Sequence, residues 1–454
     1  MYELIDYDIK CYWIEFLIPN YFTSGRVMTS QKCAIKKGVT RVQTMKNLKH
    51  SIKLFICAVA LALESCSAPE SSINDRTTTQ ATPTETLSIK PTSIESVPKN
   101  IKPTGLKKTI VLQGLERPWS MAYLPDGALL ITERGGRIQL LRKGILERVD
   151  IGILPELFVS GQAGLMDISL HPRYSDNNFV YMTYSQGNFQ SNRTSILKAK
   201  FDGKNFSNAQ VIFEVTPSKS GNQHFGSRIV WLPDQTMLVA IGDGGNPPLE
   251  IDGEPSRVQA QKLDSQLGKV LRLNDDGSIP KDNPFVKTAN ANPAIWSYGH
   301  RNIQGLFADP RSKQVWATEH GSRGGDELNL VEAGKNYGWP IVTFSQEYTG
   351  GEISNERSRP NMVDPKLVWT PAIAPSGLML YRGKIFPDWQ GNLFVGGLVS
   401  KDVIRVKIEN NKAVIQETIP IGQRVRDVRE GKDGSIYVLT DEQSGQLIRL
   451  DPKF

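Results

Sequence analysis

Between Gly105 and the C-terminus, short apolar runs rich in β-branched and aromatic residues alternate with polar Asp-Gly, Asn-Asp and Pro-Asp turns. This pattern is typical of β-strands joined by tight turns. A loose unit of two apolar strands around a polar turn occurs six times, starting near residues 118, 164, 226, 303, 376 and 425. The second strand of each unit ends in a small or acidic residue. Six such repeats predict an all-β fold, a six-bladed β-propeller with four-stranded blades, over residues 106–454.

The two ends of this repeated region also look like strands. The segment KKTIVLQGL precedes the first repeat, and LIRLDPKF ends the last one. Pairing a strand from one end of the chain with the blade at the other end removes an open sheet edge. The sequence is therefore compatible with a propeller closed in this way.

The chain from Met45 reads MKNLKHSIKLFICAVALALESCS. Three lysines precede a ten-residue apolar stretch, which is too short to span a bilayer of about 30 Å as a helix. This layout is typical of a secretory signal. Because Leu63-Glu64-Ser65-Cys66 resembles a bacterial lipobox, residues 45–66 are predicted to be a lipoprotein signal. We expect an exported protein, anchored through lipid on Cys66 and facing the periplasm or cell exterior; the alternative is an ordinary signal peptide with an incidental cysteine.

The segments on either side of this signal are not expected to form part of the fold. Residues 1–44 precede a complete signal and show no clean apolar periodicity, so they are interpreted as an extension upstream of the true start at Met45. Residues 67–105 are rich in Ser, Thr, Pro and Glu and contain few aromatic residues. Because such a composition buries too little surface to fold, a flexible linker is predicted.

Composition excludes several classes of function. The net charge is +7, but residues 1–66 hold 9 Lys/Arg and 5 Asp/Glu, so only +3 remains for the other 388 residues. No run of five basic residues occurs, which argues against a nucleic-acid partner. The four cysteines, Cys11, Cys33, Cys57 and Cys66, all lie in that first stretch. The predicted propeller therefore has no thiol for a disulfide, a zinc finger, an iron–sulfur site or a cysteine nucleophile.

Polar residues concentrate near the ends of the predicted strands. They are Gln162, His224, Asp243, Arg301, Asn302, Glu319, His320, Gly321, Asp326, Glu327, Arg424, Arg426 and Asp427. Each alone has a structural interpretation, as an ion-paired arginine, a turn aspartate or a buried core histidine. Because the repeat ends of a propeller converge on one mouth of its channel, we expect them to form a common site.

Six blocks in this region occur together in one order: GQAGLMDISLHP, NQHFGSRIVWLPD, LDSQLGKVLRLNDDGSIPKDNPF, IWSYGHRNIQGL, EHGSRGGDELNLVEAGKNYGWP and RVRDVREGKDGSIYVLTDE. Through them, residues 108–451 resemble the soluble glucose/sorbosone dehydrogenases that use pyrroloquinoline quinone (PQQ), most closely the aldose sugar dehydrogenase branch. The resemblance implies a six-bladed propeller, in agreement with the repeat count. It further implies calcium-dependent oxidation of the C1 hydroxyl of an aldose to a lactone, with hydride transfer to PQQ.

The resemblance assigns roles to the residues around the predicted base. His224 matches the general base that removes the hydroxyl proton, which suits an imidazole near neutral pH. Asp243 matches the acid that orients this histidine. Gln162 matches a polar contact to the cofactor or the sugar. Arg301 and Asn302 match the pair that holds the quinone near its reactive carbonyl, where donors stabilise developing negative charge.

The resemblance also implies a carboxylate clamp and an active-site calcium. Arg424 and Arg426 match two arginines that bind the cofactor carboxylates, and guanidinium donors suit such a ligand. Two residues apart on a strand, they are expected to face the same side. Gly321 and Ser322 match the backbone carbonyls that bind calcium.

A second, structural calcium is implied at Glu327 and Tyr337. Tyr348 is placed in the same neighbourhood and counted among the cofactor-binding residues. Two departures from the family pattern stand out: many relatives have proline where Ser322 stands, and Val399 occupies the place of a cofactor-contacting lysine. Lys401, two residues on, could face the same side as Val399.

Two other classes of function remain open at this point. One is a calcium-dependent sugar-lactone hydrolase, and the other is a non-catalytic binding propeller on the cell surface. The arginine pairs favour the quinone enzyme over the hydrolase, and His224 together with Asp243 favours an enzyme over a binding module. The expected partners are an aldose, an unidentified electron acceptor and the membrane, with the protein a monomer or a homodimer.

Overall fold

The computed structural model describes residues 104–152, 154–246, 249–410 and 412–454. The predicted N-terminal extension, the lipoprotein signal and nearly all of the predicted linker lie outside the described residues. No helix within these described ranges is long and apolar enough to cross a membrane.

The described residues form 26 strands. The first half of the chain gives β1 (Gly105–Leu115), β2 (Pro118–Tyr123), β3 (Leu129–Glu133), β4 (Arg137–Arg142), β5 (Ile145–Val149), β6 (Leu165–Leu170), β7 (Phe179–Gly187), β8 (Asn192–Phe201), β9 (Phe206–Glu214), β10 (Ile229–Trp231), β11 (Met237–Ile241), β12 (Glu250–Ile251), β13 (Glu254–Pro255), β14 (Lys269–Leu273) and β15 (Ile295–Tyr298). The second half gives β16 (Ile303–Ala308), β17 (Val315–Glu319), β18 (Asp326–Val331), β19 (Leu367–Trp369), β20 (Pro375–Leu380), β21 (Leu393–Gly397), β22 (Asp402–Glu409), β23 (Lys412–Pro420), β24 (Val425–Glu430), β25 (Ile436–Thr440) and β26 (Gly445–Lys453). A single helical turn, α1 (Tyr174–Asn177), joins β6 to β7.

Within the described residues these strands make six antiparallel four-stranded sheets, so the prediction of a six-bladed β-propeller is confirmed. Blades 1 to 5 have the orders β2-β3-β4-β5, β6-β7-β8-β9, β10-β11-β14-β15, β16-β17-β18-β19 and β20-β21-β22-β23. Blade 6 has the order β1-β26-β25-β24, which joins the start of the propeller to its end. The β1–β26 register runs from Gly105 opposite Lys453 to Leu115 opposite Gly445. This pairing closes the ring and leaves no open edge between first and last blades.

The core follows from the apolar pattern of the strands. The second strands β3, β11 and β17 are buried at every position, whereas the fourth strands β5 and β23 are largely exposed. Apolar side chains of adjacent blades pack against each other, as Leu130 and Leu140 of blade 1 do with Val180 and Leu197 of blade 2. The fold is thus stabilised by face-to-face packing of twisted sheets around the ring.

The first strands of the blades pack side by side around a central channel. Their polar side chains form an ion cluster inside it. The buried guanidinium of Arg228 pairs with Asp167 at 3.2 Å and with Asp427 at 3.1 Å, and Arg429 also donates to Asp427. Breaking a buried ion pair by removing one partner costs about 3–5 kcal/mol. Loss of any one member would therefore destabilise the meeting point of blades 2, 3 and 6, because an unpaired charge would stay buried there.

Two insertions cover one end of the ring. Between β11 and β14 lie the short β12–β13 hairpin and a 3₁₀ helix, Ser256–Ala260. Between β18 and β19 the chain makes a long excursion, residues 332–366, whose Trp339 reaches Asp243 next to β11. Both insertions lie at the channel end where first strands begin and second strands end, which is called the mouth below.

Candidate active site at the channel mouth

His224 and Asp243 form a buried pair at the mouth. His224 precedes β10 and Asp243 follows β11, so two adjacent strands of blade 3 bring them together. The imidazole Nδ1–H donates to Asp243 Oδ1 at 2.6 Å. His224 has a positive φ of 51°, and a Cβ at Gly242 would collide with its carbonyl oxygen. Glycine at 242 thus permits the close approach that the pair requires.

The electrostatics of this pair leave a neutral histidine beside an ionised carboxylate. Burial lowers the pKa of His224 below its usual value, and Arg301 acts in the same direction, while Asp243 opposes them. Burial raises the pKa of Asp243, but His224, Arg301 and Trp339 outweigh this and hold it below its usual value. With Nδ1 donating to Asp243, Nε2 carries the lone pair and is the basic atom of the ring.

Gln162 anchors the backbone of His224. Its Oε1 accepts the His224 N–H at 2.9 Å, which helps to hold the histidine in its left-handed conformation. The same side chain lines the cleft at the mouth. Because its oxygen is committed to the backbone, the amide NH₂ group is the end that can donate to a ligand.

Arg301 and Asn302 lie just before β16, on the neighbouring blade. The Arg301 N–H donates to Glu319 Oε2 at 2.7 Å, and its guanidinium donates to the carbonyls of His320 and Gly321. Asn302 Oδ1 accepts from the Gly226 N–H at 3.2 Å. The Nδ2 group of Asn302 is buried and has no hydrogen-bond partner among the described residues. A buried donor without a partner is costly unless a ligand satisfies it.

A cleft of about 610 Å³ opens at the mouth, and all six blades contribute to its lining. The lining residues are Arg117, Trp119, Arg134, Gln162, Met166, Phe225, Gly226, Gln304, His320, Ala374, Leu398, Arg424, Arg426, Asp441, Glu442 and Gln443. Four arginines against two acids give this wall an excess of positive charge. The cleft is therefore suited to a ligand with several negative charges.

Asp441 connects three of these arginines. Its carboxylate lies 2.5 Å from Arg426, 3.3 Å from Arg134 and 3.6 Å from Arg424. Burial raises the pKa of Asp441, but the arginines outweigh this and lower it to about 2. Burial lowers the pKa of Arg134 to about 10. The buried Nε groups of Arg134 and Arg426 have no hydrogen-bond partner within the described part of the chain.

The predicted active-site calcium ligands lie between β17 and β18. The Gly321 N–H donates to Asp326 Oδ1 at 2.7 Å, and the Ser322 N–H donates to Ser345 Oγ at 3.0 Å. A Cβ at Gly321 would clash with the backbone of Gly324 and Gly325, so this turn requires glycine. The Gly321 carbonyl already accepts from the positively charged Arg301 guanidinium, which repels a second cation there unless anionic ligands are added.

The residues predicted for a second calcium border a small cavity of about 10 Å³, which also touches Glu319. A space of this size holds about one water molecule or ion. Glu327 accepts from Asn329 Nδ2 at 3.1 Å, and burial together with Glu319 raises its pKa well above its usual value. The Tyr337 hydroxyl donates to the Leu330 carbonyl. Among the described residues no group of three or more His, Cys, Asp or Glu is arranged to hold a metal ion.

Of the predicted site residues, Gln162, His320, Arg424 and Arg426 line the cleft. Arg301, Gly321, Glu327 and Tyr337 border the small cavity, and His224, Asp243, Asn302 and Ser322 line neither space. Three further residues from the sequence analysis are exposed. Tyr348 sits in an exposed turn, and 58% of its surface is accessible. Val399, in the place of the family lysine, is 59% accessible, and Lys401 is also exposed. The structure thus brings Gln162, Arg424 and Arg426 to the cleft but does not place Tyr348 or Lys401 among the residues that line it.

The sequence pattern predicted His320 at the common site without a specific role, and it did not identify Trp119, Arg134, Gln304 or Asp441. A signal for three of them exists in the repeat itself. Arg134, His320 and Asp441 each directly follow the second strand of their blade, as Leu398 does in blade 5. Because that position faces the mouth in these four blades, aligning the six repeats would have identified these residues.

The mouth of this propeller thus holds a buried histidine–aspartate pair close to an arginine-rich cleft, which suits a base acting beside an anionic ligand. The family model described as Glucose / Sorbosone dehydrogenase matches residues 115–449. The chain belongs to the glucose/sorbosone dehydrogenase family, and the resemblance inferred from the six sequence blocks is confirmed.

Three similar proteins illustrate this relationship. An uncharacterised protein of Synechocystis is 53% identical over 87% of this chain and 97% of its own length. The aldose sugar dehydrogenase YliI of Escherichia coli is 36% identical over 77% of this chain and 94% of its own. The PQQ-bound aldose sugar dehydrogenase of Streptomyces coelicolor superimposes with a TM-score of 0.60 at 26% identity, covering 77% of this chain and all of its own.

Proposed function

We propose that this protein oxidises the C1 hydroxyl of aldose sugars to lactones, using PQQ and calcium. The observation that carries the proposal is the His224–Asp243 pair placed directly beside the arginine-lined cleft. Phe225 and Gly226, next to His224 in the chain, line this cleft, so the base lies close to it. Membership of a sugar dehydrogenase family supports the general reaction.

The residues of the cleft fit a quinone that carries three carboxylates. Arg426, Arg424 and Arg134 offer charge-assisted donors for carboxylates, and the buried Nε groups of Arg426 and Arg134 have no partner in the part of the chain that the structure describes. The resemblance assigns the quinone carbonyl to Arg301 and Asn302, and in support of it the buried Nδ2 of Asn302 has no partner among the described residues. A ligand with such groups would satisfy buried donors that have no partner within the described residues.

Oxidation at C1 removes a proton from the hydroxyl and a hydride from the carbon. When bound, the quinone supplies the acceptor for the hydride. His224 Nε2 accepts the hydroxyl proton as the C1=O bond forms, and the C1–H bond breaks with both electrons leaving carbon. Asp243 keeps Nδ1 protonated and stabilises the imidazolium that results. The depressed pKa of His224 keeps the base neutral before the reaction.

Calcium would be held by the carbonyls of Gly321 and Ser322 together with cofactor oxygens. Two neutral carbonyls cannot balance a divalent charge, whereas carbonyl and carboxylate oxygens together are the donors calcium prefers. As a Lewis acid, the ion would make the quinone carbon more electrophilic. The proposal of a second ion at Glu327 and Tyr337 rests on the resemblance and on their shared small cavity.

Reconstitution tests this function directly. Purified protein is incubated with calcium and PQQ, and reduction of an artificial electron acceptor is followed with a panel of aldoses. We expect activity that requires both additions and a lactone as product. Hydrolysis of sugar lactones without PQQ would instead identify the hydrolase, and sugar binding without turnover would identify a binding module.

We further propose, from the sequence pattern alone, that the protein is exported and anchored to the membrane through Cys66. Expressed from Met45 in a bacterial host, the wild-type protein should sediment with membranes, and Cys66→Ala should move it to the soluble fraction or block its processing. Immunoblots of the two fractions measure the distribution. Wild-type protein found wholly in the soluble fraction contradicts the anchor and leaves the enzymatic proposal unaffected.

A further inference from the structure

The second oxygen of the Asp243 carboxylate has a partner of its own. While Oδ1 accepts from His224 and, at 3.3 Å, from the Gly245 N–H, Oδ2 accepts from the indole Nε1–H of Trp339 at 2.8 Å. Both side chains of this second contact are buried, and 96 residues separate them in the chain. The base and a backbone N–H thus hold one oxygen of the carboxylate, and the indole is the side chain that holds the other.

Trp339 is itself fixed by its own backbone. Its N–H donates to the Gly299 carbonyl at 3.0 Å, and its carbonyl accepts from Gln261 Nε2 at 2.7 Å. The guanidinium of Arg301 lies 5.3 Å from the centre of the Trp339 ring. The indole therefore contacts both the base pair and the arginine that reaches the predicted calcium ligand Gly321.

We propose that Trp339 is a positioning residue that acts through Asp243, an inference that rests on the proposed function. A carboxylate held at one oxygen can turn about its Cβ–Cγ bond, because that terminal torsion is soft. A second donor at Oδ2 fixes the plane of the group and keeps Oδ1 directed at His224 Nδ1. Partners of this kind orient the groups they touch, and their loss typically costs about tenfold to hundredfold in activity at metal-bound histidines.

The charged groups around the pair should stay in place in Trp339→Phe, since the phenyl ring still offers a face to Arg301 and to Arg257, whose guanidinium lies 5.8 Å from the Trp339 ring centre. Arg301 and Lys219 both face His224, and His320 lies close enough to interact with it. Lys219 Nζ donates to Asn192 Oδ1 at 3.0 Å, away from Trp339. Trp339→Phe thus removes the Nε1–H donor and keeps an aromatic surface under Arg301.

The kinetic test compares Trp339→Phe with a matched control. We expect kcat for aldose oxidation to fall about tenfold to hundredfold with KM for the sugar nearly unchanged, because the base is affected and sugar contacts are not. Trp369→Phe is the control, since Trp369 is as buried as Trp339 (5% against 6% accessible) and its Nε1 has no partner within the described residues. This control should retain wild-type kcat, and an unchanged kcat in Trp339→Phe would overturn the proposal.

A double-mutant cycle distinguishes positioning from general support of the fold. If Trp339 acts through Asp243, adding Trp339→Phe to the Asp243→Ala variant should not lower kcat any further. If the fold-reductions in kcat of the two single variants multiply in the double variant, Trp339 supports the site independently of Asp243, and the proposal would fail.

Proton NMR provides a readout that needs neither cofactor nor turnover. The Nδ1–H of His224 should give a low-field signal, identified by its absence in His224→Ala, and Trp339→Phe should shift or broaden it. In the wild-type background, Asp243→Ala should shift one of the eight tryptophan indole N–H signals upfield. This second measurement holds even if Trp339→Phe does not fold. If neither signal shifts in these variants, the inference is overturned. If the shifts occur as expected but the wild-type protein oxidises no aldose, only the proposed function is overturned.

Discussion

Replacement of His224 by alanine is expected to lower kcat for aldose oxidation by about two to four orders of magnitude, the usual share of a positioned base. The physical reason lies in the site: the buried imidazole is neutral, its Nδ1–H is held by Asp243 at 2.6 Å, and Nε2 carries the basic lone pair. Quinone affinity should change little, because the arginines of the cleft remain. Steady-state kinetics give kcat, and calorimetric titration gives the affinity.

The pH dependence of aldose oxidation should change in His224→Ala. Burial and Arg301 lower the pKa of His224, so its neutral form persists below the usual value near 6.5. Activity should rise with pH through that lowered pKa and then stay level, since the neutral form is the base. His224→Ala should lose this acidic limb.

A second buried histidine supplies the control for this experiment. His171 lies beyond β6, at the channel end opposite the mouth, where its Nδ1 accepts from the Arg173 N–H at 3.0 Å. His171→Gln should retain wild-type kcat and pH profile. Wild-type turnover in His224→Ala would show that His224 is a structural residue and that another group removes the proton.

Much of this architecture could be predicted from local sequence. Six repeats of two apolar strands around a polar turn specify six blades, because each unit buries its faces only against neighbours of the same kind. The proximity of His224 and Asp243 could also be predicted, because His224 precedes β10 and Asp243 follows β11 in one repeat. In an antiparallel pair the start of the first strand lies beside the end of the second, so the topology alone brings these two residues together.

The rest of the site depends on contacts between distant parts of the chain. Asp441 meets Arg134 only because β1 completes the last blade and brings blade 1 beside blade 6. Trp339 reaches Asp243 from an excursion without repeat periodicity, so no pattern marks its indole as a partner. Such pairings are determined by tertiary packing, and only the folded chain reveals them.

The arginine pair illustrates the same limit in detail. Spacing alone predicted that Arg424 and Arg426 face the same side of one strand. In the structure β24 begins at Val425 and its pairing with β25 shifts register between Val425 and Asp427. Both arginines still reach Asp441, but the Arg424 side chain is 40% accessible whereas that of Arg426 is 7% accessible. The two residues therefore face the cleft with unequal burial, which strand alternation does not foresee.

Quinone binding should be lost when calcium is removed and regained when calcium is returned. The carbonyls of Gly321 and Ser322 offer two neutral donors, so the ion needs cofactor oxygens and the anionic cofactor in turn needs the ion. Magnesium should restore binding poorly, because it demands a small octahedral shell. Calorimetric titration of PQQ into chelator-treated protein, with and without added calcium, measures this coupling.

The arginines should contribute unequally to that affinity. Losing one charge-assisted contact costs about 1.5–3 kcal/mol, or roughly tenfold to a hundredfold in Kd. Arg426→Ala should approach the upper value because its guanidinium is buried, and Arg424→Ala the lower value because solvent screens it. Arg311→Ala, an exposed arginine between β16 and β17 at the opposite end, should bind PQQ as the wild type does. PQQ binding that does not depend on calcium, or an equal affinity for PQQ in all three arginine variants, would contradict a PQQ site in this cleft. Either result would favour the hydrolase or the binding module.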